Sequence, residues 1–152
     1  MRSTEKLFWS IALPGLGQLL NGKYLKGIVL ILLEFLINVQ SHLNMLIVLS
    51  FHGKIEEAIQ LANYNWLMFY PCVYLFGIWD AYRDDGCGRK PYSFLPFVSA
   101  AYIATVGVVC SSSFKILGVL WGPIWLPILF ILLGALVGIA AQKIIIRVQN
   151  QE

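Results

Sequence analysis

The chain reads as five apolar stretches separated by short polar connections. The first, Leu7 to Leu20, is fourteen residues long and is interrupted by Pro14-Gly15. A helix needs ~20 residues at 1.5 Å each to cross ~30 Å of hydrocarbon. Proline removes a backbone donor and breaks the turn before it. Residues 7–20 therefore predict a short re-entrant or interfacial helix, with a kinked span as the second reading. A secretory signal peptide competes, but Gly15-Leu16-Gly17 is a poor small-x-small cleavage site.

Residues 28–51 are numerous enough to span, yet carry Glu34, Asn38, Gln40, Ser41, His42 and Asn44. Glu34, Asn38 and His42 follow i, i+4, i+8, which predicts one polar helix face with Ser41 beside it. Leu32, Leu36, Leu43 and Ile47 then form the opposite face. Residues 52–65 read as a polar connection. Within it, Ile55, Ala58, Ile59 and Ala62 make one stripe, the mark of a short helix lying on the bilayer. Residues 66–82 form an aromatic-rich span containing Pro71, followed by a glycine-rich polar turn over 83–91. Residues 94–110 carry Pro96 near their start, where a helix tolerates proline best, and end at Ser111-Ser112-Ser113. Residues 116–141 are apolar throughout, and Pro123 and Pro127 predict a kink in their first third. The tail from Gln142 is polar and compatible with helix. The expected fold is a single all-α integral membrane domain over 1–152. It has four transmembrane helices (28–51, 66–82, 94–110, 116–141) and the short N-terminal element.

Composition sharpens this picture. Of 152 residues, 59% are hydrophobic and 12% charged, and the mean hydropathy is +0.73. A soluble domain is ~45–50% apolar and ~25% charged. A soluble globular enzyme, a disordered tail and a disulfide scaffold are thereby excluded. The net charge of +3 is too small and scattered for nucleic-acid binding.

Charge placement predicts topology. With a cytoplasmic N-terminus and a non-crossing 7–20 segment, nine cations fall inside: Arg2, Lys6, Lys23, Lys26, Arg83, Arg89, Lys90, Lys143 and Arg147. Lys54 and Lys115 fall outside, with Glu56 and Glu57. If 7–20 crosses, the split falls to seven against four. The positive-inside rule prefers the first arrangement, with both termini cytoplasmic in the cell membrane. Tyr64 and Trp66 then fit the outer aromatic belt, and Trp9, Tyr24, Trp79, Tyr82 and Tyr92 the inner one.

Leu13-Pro14-Gly15-Leu16-Gly17-Gln18-Leu19-Leu20-Asn21-Gly22-Lys23-Tyr24-Leu25-Lys26-Gly27, closed by Gly77-Ile78-Trp79-Asp80-Ala81-Tyr82, forms a recognisable pair of motifs. The pattern resembles small bacterial membrane proteins with proline-glycine-x-glycine-glutamine, asparagine-glycine and lysine-glycine elements. Both halves look like a diverged TM-two domain, whose closing tryptophan-x-x-aspartate is here the adjacent pair Trp79-Asp80. The resemblance covers residues 7–82. It implies a bacterial inner-membrane protein and carries no catalytic residues to transfer.

The residues themselves point to a site. Gly15, Gly17, Gly22 and Gly27 allow close backbone approach to a neighbouring helix or to headgroups. Gln18 and Asn21 are able to satisfy backbone groups freed at Pro14-Gly15, which requires the element to be buried in protein or beside water. Gln18, Asn21, Glu34 and Asp80 are expected to meet near the inner leaflet. Glu34 reads either as a proton, cation or substrate contact, or as a protonated or Asn38-bonded group joining helices. Asn38 and His42 either extend a polar path outward or hydrogen-bond between helices. Asp80 is expected to cap the next element or pair with Arg83. The loop bearing Arg83, Asp84, Asp85, Arg89 and Lys90 is a solvated turn or a docking loop, and Arg89 and Lys90 are placed to touch anionic lipid. Gly118/Gly122 and Gly134/Gly138 are GxxxG pairs, read as packing within the chain or between two copies.

Cys72, Cys87 and Cys110 share no metal-type spacing, and His42 and His52 are the only histidines. They are read as unpaired thiols, with no metal and no cofactor. No nucleophile elbow, phosphate loop or His-Glu-x-x-His occurs, and Ser111 to Ser113 have no base nearby in sequence. An enzyme would depend on Glu34, Asp80 and His42 alone, so none is expected. The expected partners are the bilayer and either another membrane protein or a second copy. Two functions follow: a structural or accessory subunit, or an oligomeric channel, transporter subunit or lipid-handling protein using Glu34, Asn38 and His42.

Overall fold

The computed structural model describes residues 3–84, 86 and 90–151, with side chains from residue 6 onward. These residues are mostly helical. In chain order they form α1 (Ser3–Ala12), α2 (Leu16–Leu20), α3 (Tyr24–Ser41), α4 (Leu43–Phe51), α5 (Ile55–Leu61) and α6 (Tyr64–Leu67). Then come α7 (Tyr70–Asp84), α8 (Leu95–Cys110), the strands β1 (Lys115–Ile116) and β2 (Val119–Leu120), and α9 (Gly122–Gln149).

Among the described residues two helices, α3 and α9, are long and apolar enough to cross a membrane, where the sequence predicted four. Their most apolar windows are only 22% and 28% buried, whereas the core helix of a soluble protein is mostly buried. Leu25, Leu32, Phe35, Leu132 and Leu136 all point outward. A bilayer accommodates such surface and water does not. Of the other predicted spans, 94–110 appears as α8, and 66–82 is divided between α6 and α7. At 1.5 Å per residue, the 15 residues of α7 and the 16 of α8 reach only about 22 and 24 Å.

The predicted 28–51 helix is in fact two. It starts at Tyr24 and breaks at His42, whose φ of 60° is left-handed. That conformation ends α3, with the His42 N–H donating to the Asn38 and Val39 carbonyls. An L-residue pays roughly 1–2 kcal/mol for it. His42→Gly is therefore expected to be neutral or to stabilise the protein by up to about 1 kcal/mol, and His42→Val to cost about 1–2 kcal/mol. Thermal unfolding midpoints of the two variants check this, and a stabilising valine contradicts it.

The predicted 116–141 helix is also corrected. Its first residues form a hairpin in which Lys115 pairs with Leu120 and Ile116 with Val119. Leu117 and Gly118 make the turn, both at positive φ, as two-residue hairpins require. The helix itself begins at Gly122 and runs on through the polar tail to Gln149. Pro123 sits in its first turn, where the missing N–H has no partner to lose, so only Pro127 is interior.

The predicted surface helix appears as α5, but its stripe is turned into the protein rather than laid on the bilayer, with Ala58 fully buried. It closes one core with Leu43, Leu46, Leu67, Val108 and Ile124. A second core joins Leu75 and Ile78 of α7 to Ala100 of α8. In the α8–α9 hairpin Gly134 of α9 faces the backbone of Ala100 and Gly138 that of Leu95 and Pro96, while Gly107 of α8 faces Phe130.

Candidate functional site

The N-terminal element is a helix, a break and a short helix folded against α3 and α7. Leu13-Pro14-Gly15 makes the break, with Gly15 at a φ of 102°. A Cβ on Gly15 would lie 2.5 Å from the Gly27 carbonyl oxygen, so the two glycines let α2 lie directly on α3. Pro14 rests on Gly77 of α7, and Gly17 faces Ser10 and Ala81. Gly22 differs from its three neighbours. Open space surrounds it, and its role is the turn at φ 74° rather than packing. Tyr74 fastens α1 by donating to the Ile11 carbonyl at 2.6 Å.

This arrangement brings three of the four expected cluster residues together. Gln18 is fully buried, and its Nε2 donates to the Gly77 carbonyl at 2.7 Å and to Asp80 Oδ2 at 3.2 Å. Asn21 Nδ2 donates to the Ala81 carbonyl at 3.4 Å. Asp80 is 5% exposed, and its other oxygen accepts from Lys26 Nζ at 2.8 Å. Lys26 also lies 3.8 Å from Asp84.

Lys26 is the member that sequence reasoning missed. In the sequence it stands only as an inside charge and part of the lysine-glycine motif, with nothing to show that it faces Asp80. Arg83, the expected partner of Asp80, instead lies over the Trp79 ring, 5.3 Å from its centroid. The residues are one helical turn apart, and the guanidinium keeps its edge in solvent.

Glu34 stands apart from this cluster. It is half-buried, and its Oε1 accepts from the Tyr70 hydroxyl at 3.4 Å, while Oε2 has no partner among the described residues. It does not bond Asn38. Asn38 Nδ2 donates to Asn44 Oδ1 at 3.1 Å, across the break between α3 and α4. His42 is exposed at that break. Of the polar face predicted from the i, i+4, i+8 spacing, Glu34 and Asn38 remain one turn apart on α3, and His42 is lost from it because the helix ends at Ser41. Tyr70 gave no signal beyond being a polar-tipped aromatic in an apolar run.

The remaining predicted glycine pairs divide as well. Gly118 and Gly122 are not a helical pair, since one turns the hairpin and the other starts α9 against Ile55. Gly134 and Gly138 are helical, and both face the backbone of α8. Of the loop, Arg83, Asp84 and Lys90 are described, whereas Asp85, Arg89 and Cys87 lie outside the described residues. Its far end is held by α9, as Gln142 donates to the Pro91 carbonyl at 2.9 Å and Gln149 to the Tyr92 hydroxyl at 2.6 Å. Cys72 and Cys110 are free thiols. No group of three metal-ligating side chains occurs among the described residues.

Chemically, the cluster at the base of α7 is a joint. Each polar side chain in it is bonded to another helix. Comparison of the chain with family models, with curated proteins and with solved structures gives no match.

Proposed function

We propose that the chain is a small multi-pass protein of the cell membrane that serves as a structural or accessory subunit, in a larger membrane complex or in a homo-oligomer. The observation that carries this reading is the Gln18–Asp80–Lys26 joint. It uses the polar side chains of the inner end to hold the N-terminal element against α3 and α7. In this reading α3–α4, α6–α7, α8 and α9 are the four passes. The α1–α2 element sits at the inner face, and both termini are cytoplasmic. The distribution of Lys and Arg supports that orientation. A relationship to the TM-two domain is part of the proposal. It is supported by the contact of Gln18 with Asp80, one from each half of the motif pair.

The test is gentle extraction from native membranes followed by native mass spectrometry. A stoichiometric second protein or a defined homo-oligomer is expected, and a monomer alone speaks against the reading. The channel or transporter alternative places function on Glu34. Glu34→Gln keeps an acceptor for Tyr70, so stability within about 1 kcal/mol of wild type and normal assembly are expected. Lost flux in a reconstituted Glu34→Gln protein that still assembles would favour the alternative.

A further inference from the structure

A groove of about 1050 Å³ runs along the seam between α7 and α8. Its two ends differ. Leu75, Phe76, Phe97, Val98 and Ala101 make an apolar floor and walls. Arg83 and Lys90 flank one end, with Tyr92 and Ser93 beside them. Cys72 and Thr105, 3.5 Å apart between Sγ and Oγ1, close the other. Among the described residues, neither Arg83 nor Lys90 has a carboxylate within ion-pair distance. Asp84, next to Arg83, is turned toward Lys26.

The length of the groove is informative. From Cys72 to Arg83 α7 rises by roughly 16 Å at 1.5 Å per residue. That is about one leaflet of a ~30 Å hydrocarbon core. An apolar channel one leaflet long, with two cations at its interfacial end, matches a chain with an anionic head. A partner helix, about 10 Å across with its side chains, has no use for a cationic end confined to one leaflet.

We propose that this groove seats an acyl chain of an anionic phospholipid, whose phosphate is held by Arg83 and Lys90. The inference rests on the reading that the Arg83 end of α7 lies at the cytoplasmic surface of a membrane. It goes beyond an accessory role by assigning a lipid to a particular seam.

The experiment is native mass spectrometry of the full chain in detergent, titrated with phosphatidylglycerol or phosphatidylcholine. Wild type is expected to retain one phosphatidylglycerol in preference to phosphatidylcholine. The Arg83→Gln/Lys90→Gln variant is expected to bind phosphatidylglycerol about thirtyfold more weakly. Ala101→Trp fills the groove and is expected to lose both lipids, and Lys54→Gln, outside the groove, to change nothing. Because Arg83 and Lys90 are exposed, the double variant keeps the test decisive even where Ala101→Trp fails to fold. Equal retention of the two lipids, or phosphatidylglycerol binding unchanged in the double variant, overturns the proposal. So does a stoichiometric protein that displaces the lipid and is itself lost in Ala101→Trp. The same spectra report assembly. Lipid lost with assembly intact in wild type counts against this inference alone, and a wild type extracted gently from native membranes as a monomer that still carries the lipid counts against the accessory reading alone.

Discussion

Replacing Lys26 by methionine is expected to destabilise the protein by about 2–4 kcal/mol, more than removing the charge of its partner does. Taking one member from a buried ion pair costs roughly 3–5 kcal/mol because the other charge is left uncompensated. The figure is lowered here because Lys26 is half exposed and water already screens it. Asp80 is the buried member. Without Lys26 its carboxylate retains only the Gln18 amide, 3.2 Å away. Asp80→Asn leaves the opposite situation. The ammonium of Lys26 returns to water, and Gln18 still donates to Gly77. That variant is expected to lose about 1 kcal/mol. The double variant Lys26→Met/Asp80→Leu removes both charges and is expected to be more stable than Lys26→Met alone, since the two residues are coupled. Thermal or SDS-induced unfolding of the purified variants gives the order. An Asp80→Asn protein as unstable as Lys26→Met would disprove the asymmetry.

The second large effect is expected on the α8–α9 seam. A Cβ on Gly134 would lie 2.6 Å from Ala100 Cα and 2.7 Å from the Ser99 carbonyl oxygen. On Gly138 it would lie 2.5 Å from Pro96 Cα and 2.6 Å from the Leu95 carbonyl oxygen. These neighbours are main chain, so no side chain is able to swing aside, and α8 has to move bodily. Overpacking of this kind costs about 1–3 kcal/mol per site. The double variant Gly134→Ala/Gly138→Ala is expected to lose about 2–6 kcal/mol, a large part of the ~5–15 kcal/mol that holds a typical domain together. Gly118→Ala is the control. Its surroundings are open, and only its φ of 81° resists a side chain, for about 1 kcal/mol. A double variant that unfolds at the wild-type temperature would remove the seam from the account. Because the Gly134–Gly138 face is already occupied by α8, these substitutions report on the fold of one chain rather than on pairing of two copies.

The joint and the seam differ in how far they were legible. Pro14-Gly15 announced a break through the chemistry of its own residues, and the break lies there. Gln18 and Asp80, sixty-two positions apart, were grouped because both were polar residues near one end of apolar stretches, and they do touch. The stripe on α5 was legible because period alone places Ala58 on the buried side. Lys26 was not legible as a partner, since an ion pair depends on which faces of α3 and α7 meet. The break at His42 was hidden for a different reason. The apolar stretch continues on both sides of it, and no glycine or proline marks the left-handed position. Extending one helix through it put His42 on the face that Glu34 and Asn38 share within α3, whereas His42 lies past the end of that helix and Glu34 bonds Tyr70. The Gly118–Gly122 spacing misled for the same kind of reason, as a four-residue interval means one face only when the segment is helical.

What the sequence determined by itself is therefore local or compositional. It specifies an apolar, helical chain, the break at Pro14-Gly15, the short helix on residues 55–61, and which polar residues stand inside apolar stretches. These follow from side-chain transfer energies, from the fixed φ of proline and from helical period, all properties of a few neighbouring residues. Only the tertiary structure decided that Lys26 neutralises Asp80, that Gly134 and Gly138 face α8, that the tail of α9 holds the 90–94 turn, and that α7 and α8 leave a groove between them. Each of these depends on the relative rotation and register of helices far apart in sequence. That geometry is set by how all the packed faces fit at once.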